Sequence, residues 1–534
     1  MNLNVHNGHN TAVLTQSITA PYHNDPLAVY QLLCQHKENT LLLESAEIDK
    51  KHLLKSLLLT DAAVKIVCRG QQVSFTALSK SGEQALAFVQ TQLADKAKLA
   101  FSETDKALTA VFPAVEQELD EMSRLMASNP FESLRLFKRI ENHNQHPFAI
   151  FLGGAFAFDM MSMAEALPDV QEGENTCPDF VYYLAENLVV IDHEQQSTEI
   201  INNHFTLDKN ATIDTQQNAR IEEIKQILAS PVTPMPAIKA QQPAQSEVTS
   251  DLSDDAFCSI VNKLKENIRA GDIFQVVPSR TFTLPCQDSI SAYQALKLSN
   301  PSPYMFYLQD SDFCIFGASP ESAIKYQQHN RQVEIYPIAG TRPRGFDQHG
   351  NISLDLDSRI ELELRQDKKE SAEHIMLVDL ARNDIARVSQ AGTRFVADLL
   401  KVDRYSHVMH LVSRVCGTLL PELDALHAYQ ACMNMGTLSG APKVKATSLI
   451  REVEGKRRGS YGGAVGYLTG NGDMDTCIVI RSAFVKDNIA QVQAGAGVVY
   501  DSDPQSEANE TRQKAQAVIS AISRANNVIR TKEH

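Results

Sequence analysis

Two acidic pairs far apart in the chain constrain its fold more than any other feature. Glu370-Ser-Ala-Glu373 opens the stretch ESAEHIMLVDLARND, and Glu507-Ala-Asn-Glu510 lies near the end. In each pair the carboxylates stand three residues apart. On a helix, residues at that spacing share a face. Glutamates so placed most often form a solvated face. Here the context narrows the choice. Glu370, Glu373, Leu377 and Leu380 make one helical stripe, while Ile375, Met376, Val378 and Ile385 cover the other sides. A helix apolar nearly all round is expected to be buried. Carboxylates at its end then need a partner or a metal. If the two helices meet, four carboxylates converge, an arrangement that suits a hard cation such as Mg2+.

Composition bounds the class. A chain of 534 residues exceeds a single core, so two or more domains are expected. A net charge of −15 argues against nucleic acid as a partner. No run reaches the apolar length of a membrane span, and MNLNVHNGHN lacks the features of a signal peptide. Nine cysteines without a CxxC pair point to free thiols in a reducing cytoplasm.

Read in order, a helical pattern around Leu27–Leu33 precedes Asn39-Thr-Leu-Leu-Leu-Glu-Ser45, an apolar run that reads as a buried strand with a polar tip. FAIFLGGAFAFD (148–159) reads as a strand whose Gly-Gly implies a bulge or a close backbone approach. Strand patterns follow at Phe180–Tyr183 and Leu188–Asp192. The proline-rich stretch around Pro231, Pro234, Pro236 and Pro243 reads as a linker. The expected organisation is therefore an N-terminal domain over 1–230, a linker over 231–252 and a C-terminal domain over 253–530. In the latter, Asp254 is the expected N-cap of a helix that stops at Gly271. Strand patterns lie at Ile273–Val277, Phe313–Phe316, Val333–Ile338, Tyr461–Leu468, Thr476–Phe484 and Ala490–Tyr500. Asp503 and Pro504 open the last helix, whose face carries Glu507, Glu510 and Lys514. Its apolar stripe is Val518, Ile519 and Ile522.

Three further features carry chemistry. Gly495-Ala-Gly497 is either a simple bulge or a place where backbone N–H groups approach a ligand carboxylate. Arg481 sits inside an apolar strand pattern, where it pairs with a structural acid or grips a substrate carboxylate. His407 and His410 fit metal binding, acid–base work or a packed core histidine.

Together these stretches are similar to the chorismate-utilising enzymes, in particular the branch that uses ammonia to form anthranilate. The likeness is carried by PSPYMF (301–306), ASPES (318–322), PIAGTRPRG (337–345), ESAEHIMLVDLARND (370–384), RYSHVMHLVSRV (404–415), GTLSGAPK (436–443), GSYGGAVGY (459–467), IVIRSA (478–483), QAGAGVVYDSDP (493–504), EANET (507–511) and LLLES near the N-terminus. The resemblance implies an α+β fold of two intertwined domains, each with β-sheet flanked by helices. It implies that chorismate and ammonia give anthranilate and pyruvate, the first committed step toward tryptophan. Glu373 and Glu510 would hold Mg2+, supported by Glu370 and Glu507. Glu321 would protonate the leaving hydroxyl, His410 would serve the elimination, and Thr437 would line the site. Gly340, Thr341, Tyr461, Arg481, Gly495, Ala496, Gly497 and Lys514 would position the substrate.

Two positions separate the relatives. The resemblance places Gln275 where isochorismate and salicylate synthases carry a water-activating lysine, and Ala339 where aminodeoxychorismate synthase carries a nucleophilic one. Neither side chain here can do that chemistry. Those siblings, and a non-catalytic tryptophan sensor, are the alternative readings. The chain shows no glycine-flanked nucleophile cysteine for glutaminase work, so a separate glutamine amidotransferase subunit is expected, in a heterotetramer of two large and two small subunits. A feedback site for tryptophan is implied at Glu44, Ser45 and Lys55, facing Pro303, Tyr304 and Met305, with Val465, Tyr467 and Cys477 nearby. The absence of tryptophan from the sequence fits an enzyme needed when that amino acid is scarce.

Overall fold

The run Thr-Leu-Leu-Leu-Glu-Ser-Ala is apolar at successive positions, so as a strand it must be covered on both faces. The computed structural model describes residues 11–46, 53–116, 118–142, 145–208, 215–232, 235, 248–348, 350–404 and 408–532. In it the strand Thr40–Ala46 buries both Leu41 and Leu42, each worth about 2 kcal/mol of hydrophobic stabilisation. It pairs antiparallel with Leu53–Arg69 on one side and with Tyr304–Gln309 on the other. A second crossing joins the halves. Phe151–Phe156 lies between Phe180–Asp192 and Ala464–Thr469. The two halves of the sequence are therefore intertwined through shared sheet, and helices cover that sheet in an α+β arrangement.

The second crossing explains the Gly-Gly pair. A Cβ on Gly154 would stand 2.0 Å from the Val181 carbonyl oxygen, and one on Gly153 would stand 2.5 Å from Leu41. Close approach, not a bulge, is what the glycines permit. Phe156 then stacks on Tyr429 with ring centroids 4.3 Å apart, tying the N-terminal half to the Ala425–Cys432 helix.

Several sequence expectations shift. Ser253, not Asp254, caps the helix Asp254–Ala270, because the serine hydroxyl reaches the Ala256 N–H. Gly271 ends that helix with φ +83°, as its sequence suggests. The patterns at Phe180–Tyr183 and Leu188–Asp192 are one strand, Phe180–Asp192. Conversely, Val333–Ile338 divides into Gln332–Ile335 and Ile338–Pro343. The Thr476–Phe484 pattern also breaks, into Met474–Ile478 and Ser482–Lys486. Arg481 occupies that break in the left-handed region, with φ +49°. It is not strand-interior. At the end of the expected linker, Thr249–Ser250 pairs with Phe282 and Thr283. Most of that linker, and His407, lie outside the described residues.

The helix Lys368–Ala386 is not buried all round. His374, Leu377, Val378, Ala381 and Ile385 face the interior, while Ile375 is exposed. Its side chains pack on the strands Ile338–Pro343 and Val408–Thr418 only along one stripe. The last helix, Pro504–Lys532, buries Val518 and Ile522 and packs against Ser289–Ser299 and Asp254–Ala270. Among the described residues, no helix is long and apolar enough to cross a membrane.

Candidate active site

Both acidic pairs sit at helix starts. The Asp367 carboxylate caps the first helix by accepting from the Lys369 and Glu370 N–H groups, at 3.0 and 3.1 Å. Asp503 caps the second by accepting from the Ser506 N–H at 2.8 Å. A helix N-terminus favours negative charge nearby. The two starts lie within electrostatic reach of one another: burial raises the Glu373 pKa, and Glu370, Glu507 and Glu510 raise it further, against the pull of Lys369. Glu507 is raised by burial and by Glu510, while Ser502, Lys369 and Lys514 oppose the rise.

The four carboxylates do not close a metal cage as they stand. Glu370 turns to Arg342 at 2.9 Å, and Glu510 to Lys514 at 2.6 Å. Among the described residues, no three His, Cys, Asp or Glu side chains are grouped to hold an ion. The donor chemistry still fits a hard divalent cation. All four groups are carboxylates, and the strained charge on Glu373 and Glu507 is what such a cation would relieve.

Glu321 lies in the short break between the strands Cys314–Ser319 and Ser322–Gln327. Its side chain is buried, and Thr437 Oγ1 donates to its Oε1 at 3.0 Å. Burial pushes its pKa up to about 8, against the Thr437 hydrogen bond and the charges of Arg481 and Lys514. It can therefore carry a proton near neutral pH and give it to a leaving group.

His410 and Thr341 are register partners on the strands Val408–Thr418 and Ile338–Pro343. His410 Nδ1 and Thr341 Oγ1 are 2.9 Å apart. Burial and the nearby Arg481 lower the His410 pKa to about 4, against a hydrogen bond that the ring donates to the Gly340 backbone carbonyl. The imidazole is neutral at pH 7 and able to accept a proton. Gly340, at φ +75°, lets the strand shift register between Ala339 and Thr341. A Cβ there would stand 3.1 Å from Glu370 Oε2.

Arg481 links these groups. Burial lowers its pKa, while Tyr461, Glu510 and Glu321 raise it. Among the described residues, no carboxylate pairs with its guanidinium, which leaves it a cation available to an anionic ligand. Tyr461 is buried, and its hydroxyl lies 3.0 Å from where a Cβ on Gly495 would stand. The Gly495 carbonyl accepts from Lys514 at 3.1 Å. The Ala496 N–H is engaged by the Pro278 carbonyl at 3.1 Å, so it does not offer itself to a ligand. Gly497 leaves room for Gln275: a Cβ there would meet Nε2 at 2.8 Å. Gln275 is buried, and among the described residues its Oε1 has no hydrogen-bond partner. Hydrogen bonds join Gly495 to Tyr461 and to Lys514, an ion pair joins Lys514 to Glu510, and Thr341 bonds His410. Charge interactions relate Glu321, Tyr461, Glu510 and His410 to Arg481, and Glu370 and Glu510 to Glu373; with Gly340 beside Glu370, these groups make up the ring of the site.

Sequence reasoning missed three supports of this ring. Arg342, one residue beyond Thr341, bonds both Glu370 and Asp367. Lys443 and Asp384 form a buried ion pair at 2.6 Å that ties the GTLSGAPK loop to the first acidic helix. Arg458 and Glu454 form another at 2.6 Å. None of the three carried a clear local signal: Glu454 and Arg458 stand four apart in sequence, but the helix ends at Glu454 and Gly455 caps it, so helical spacing does not predict their pairing.

A second cavity, of about 540 Å³, lies where the N-terminal strand meets the C-terminal sheet. Glu44, Ser45, Lys55, Pro303, Tyr304, Met305, Val465, Tyr467 and Cys477 all line it. The Glu44 carboxylate is already engaged, by Tyr293 at 2.7 Å and Lys297 at 2.5 Å, and Lys55 is exposed.

Residues 90–520 match the chorismate binding enzyme family. The chain is 59% identical over 504 residues to anthranilate synthase component 1 of Vibrio cholerae, covering 94% of this chain and 95% of that protein. It is 53% identical over 511 residues to anthranilate synthase component 1 of Escherichia coli K12, covering 96% and 97%. Its fold matches the crystal structure of anthranilate synthase component I from Streptococcus pneumoniae with a TM-score of 0.65 at 28% identity, over 87% of this chain and 92% of that one. The menaquinone-specific isochorismate synthase of Escherichia coli shares the fold alone, with a TM-score of 0.65 at 16% identity over 96% and 95%.

Proposed function

Because the chain belongs to the chorismate binding enzyme family, among its anthranilate synthase component 1 proteins, we propose that it is a lyase that joins chorismate and ammonia and releases anthranilate and pyruvate, the first step toward tryptophan. The observation that carries this reading is the buried Glu321 carboxyl, bonded by Thr437 at 3.0 Å and near Arg481, which has no carboxylate partner among the described residues, within a ring completed by two acidic helix starts. Arg481 grips a carboxylate of chorismate. Glu321, held by Thr437, protonates the ring hydroxyl as it leaves, and ammonia adds to the ring. The neutral His410, steadied by Thr341, accepts a proton as pyruvate departs and the ring becomes aromatic. Glu373 and Glu510, with Glu370 and Glu507 behind them, would hold Mg2+, which when bound supplies a positive charge against the ring carboxylate.

Gln275 and Ala339 favour ammonia over water or a lysine nucleophile, because neither side chain can deprotonate water or attack carbon. The ammonia comes from a glutaminase subunit, in keeping with the "component 1" of the relatives' names. Residues 253–530 carry the catalytic ring. Residues 1–230 contribute Glu44, Ser45 and Lys55 to the second cavity, which we assign to tryptophan as a feedback ligand; a site between two parts of the chain can bias their arrangement. The test is direct. The isolated chain, given chorismate, ammonium and Mg2+, is expected to develop anthranilate fluorescence, and glutamine is not expected to replace ammonium. An isochorismate or aminodeoxychorismate product would overturn the assignment.

A further inference from the structure

The buried pair Arg458 and Glu454 takes part in no step above. Arg458 is 2% exposed. Its guanidinium lies between the rings of Phe158 and Tyr461, at 4.5 and 5.5 Å from their centroids. Nη1 donates to the Leu438 carbonyl at 2.9 Å, and Nη2 to the Val277 carbonyl at 2.7 Å. Nε and Nη2 also grip the two Glu454 oxygens, at 2.9 and 2.6 Å. Glu454 in turn accepts from the Ser279 N–H and hydroxyl, both at 2.8 Å. Ser279 is the register partner of Gly495, and its hydroxyl accepts from Gln493 at 2.8 Å.

Each of these contacts falls on, opposite or within two residues of a group assigned to the site. Leu438 follows Thr437, Val277 lies two beyond Gln275, Tyr461 is stacked directly, and Ser279 faces Gly495. We propose that Arg458, clamped by Glu454, is the positioning residue that holds the Thr437 loop, the Gln275 strand, Tyr461 and Gly495 in mutual register around the substrate. This rests on the reading of the site given above. The geometry suits the task. A planar guanidinium presents several donors in a fixed fork, and stacking fixes its plane. Lysine offers neither the fork nor the stack. A buried pair of this kind adds little net stability over an apolar substitute, whereas removal of one partner leaves a charge unpaired.

The experiment compares the full chain with Arg458→Lys, which keeps the charge, and Glu454→Gln, which keeps the shape. Arg135→Lys, in a half-buried ion pair with Asp424 outside the ring, is the control for general loosening. Chorismate affinity is measured by calorimetry, and kcat and KM against pH by anthranilate fluorescence. Both site variants are expected to weaken chorismate binding and raise KM roughly ten- to a hundredfold, the scale set by small misplacements of a bound substrate. They are also expected to move the alkaline limb of kcat/KM to lower pH, as water reaches Glu321. The other charged groups facing that carboxyl, Arg481 and Lys514, are untouched. The control is expected to lower melting temperature without moving KM or the limb. Site variants that lose melting temperature alone, with affinity, KM and limb unchanged, would overturn the proposal. A parent chain that makes no anthranilate would instead overturn the reading of the reaction; the calorimetry still decides the positioning role.

Discussion

The Thr437 hydroxyl donates to the Glu321 carboxyl across 3.0 Å, joining the GTLSGAPK loop to the break in ASPES. The two residues lie far apart in sequence, and the bond works against burial. Desolvation favours the neutral acid, whereas the hydroxyl stabilises the carboxylate. The balance leaves a pKa of about 8, a useful value for the proposed acid, which has to hold a proton until the hydroxyl leaves.

A pH profile follows from that balance. Activity is expected to fall as pH rises through about 8, because Glu321 then loses its proton. Thr437→Val removes an influence that lowers the pKa, so the limb should move to higher pH. Glu321→Gln is expected to cost at least roughly a hundredfold in kcat. The stability effect has the opposite sign. The folded-state pKa is raised from 4.5, so between pH 4.5 and about 8 the native chain holds a proton that the unfolded chain gives up. Stability therefore declines with rising pH across that window. Glu321→Gln should escape the decline, melting higher than the parent at pH 8 although inactive. A variant that melts lower than the parent throughout would contradict the assigned burial cost.

Nucleophile choice is tested at Gln275 and Ala339. Gln275→Lys and Ala339→Lys each place an amine where this chain has none. Chromatography of the products from chorismate and ammonium is expected to reveal a new species beside anthranilate in at least one variant. Unchanged anthranilate output from both would remove these positions as the reason ammonia is used.

The second cavity makes a separate prediction. Ser45 lines it, and its hydroxyl donates to the Lys55 carbonyl at 3.3 Å. Ser45→Phe fills that space and is expected to leave the activity resistant to tryptophan while chorismate turnover stays near the parent's. Tight tryptophan binding by calorimetry in that variant would show that the ligand sits elsewhere.

Much of this was legible because local rules and the fold agree. The Asp503-Pro504 start, the Gly271 stop and the i, i+3 glutamates all follow from short-range geometry. Arg481 reads as strand-interior because it sits in a nearly continuous apolar run, Cys477–Phe484. The left-handed turn that it occupies is set by the Ala318 N–H, which bonds its carbonyl at 3.1 Å from a distant strand. The helix behind Glu373 looked apolar all round, yet Ile375 faces outward because only one stripe has sheet to pack on. Strand partners, such as Thr40–Ala46 with Tyr304–Gln309, are long-range pairings that no local pattern records.

The central claim is that the helix starts at Glu370–Glu373 and Glu507–Glu510 share one cation. Titration of the full chain with Mg2+ by isothermal calorimetry, with chorismate present and ammonium left out, tests it most directly. One Mg2+ per chain is expected. Glu370→Gln or Glu507→Gln should weaken its binding roughly ten- to a hundredfold, and the pair Glu373→Gln with Glu510→Gln should abolish it. Unchanged Mg2+ affinity in that double variant would contradict the account.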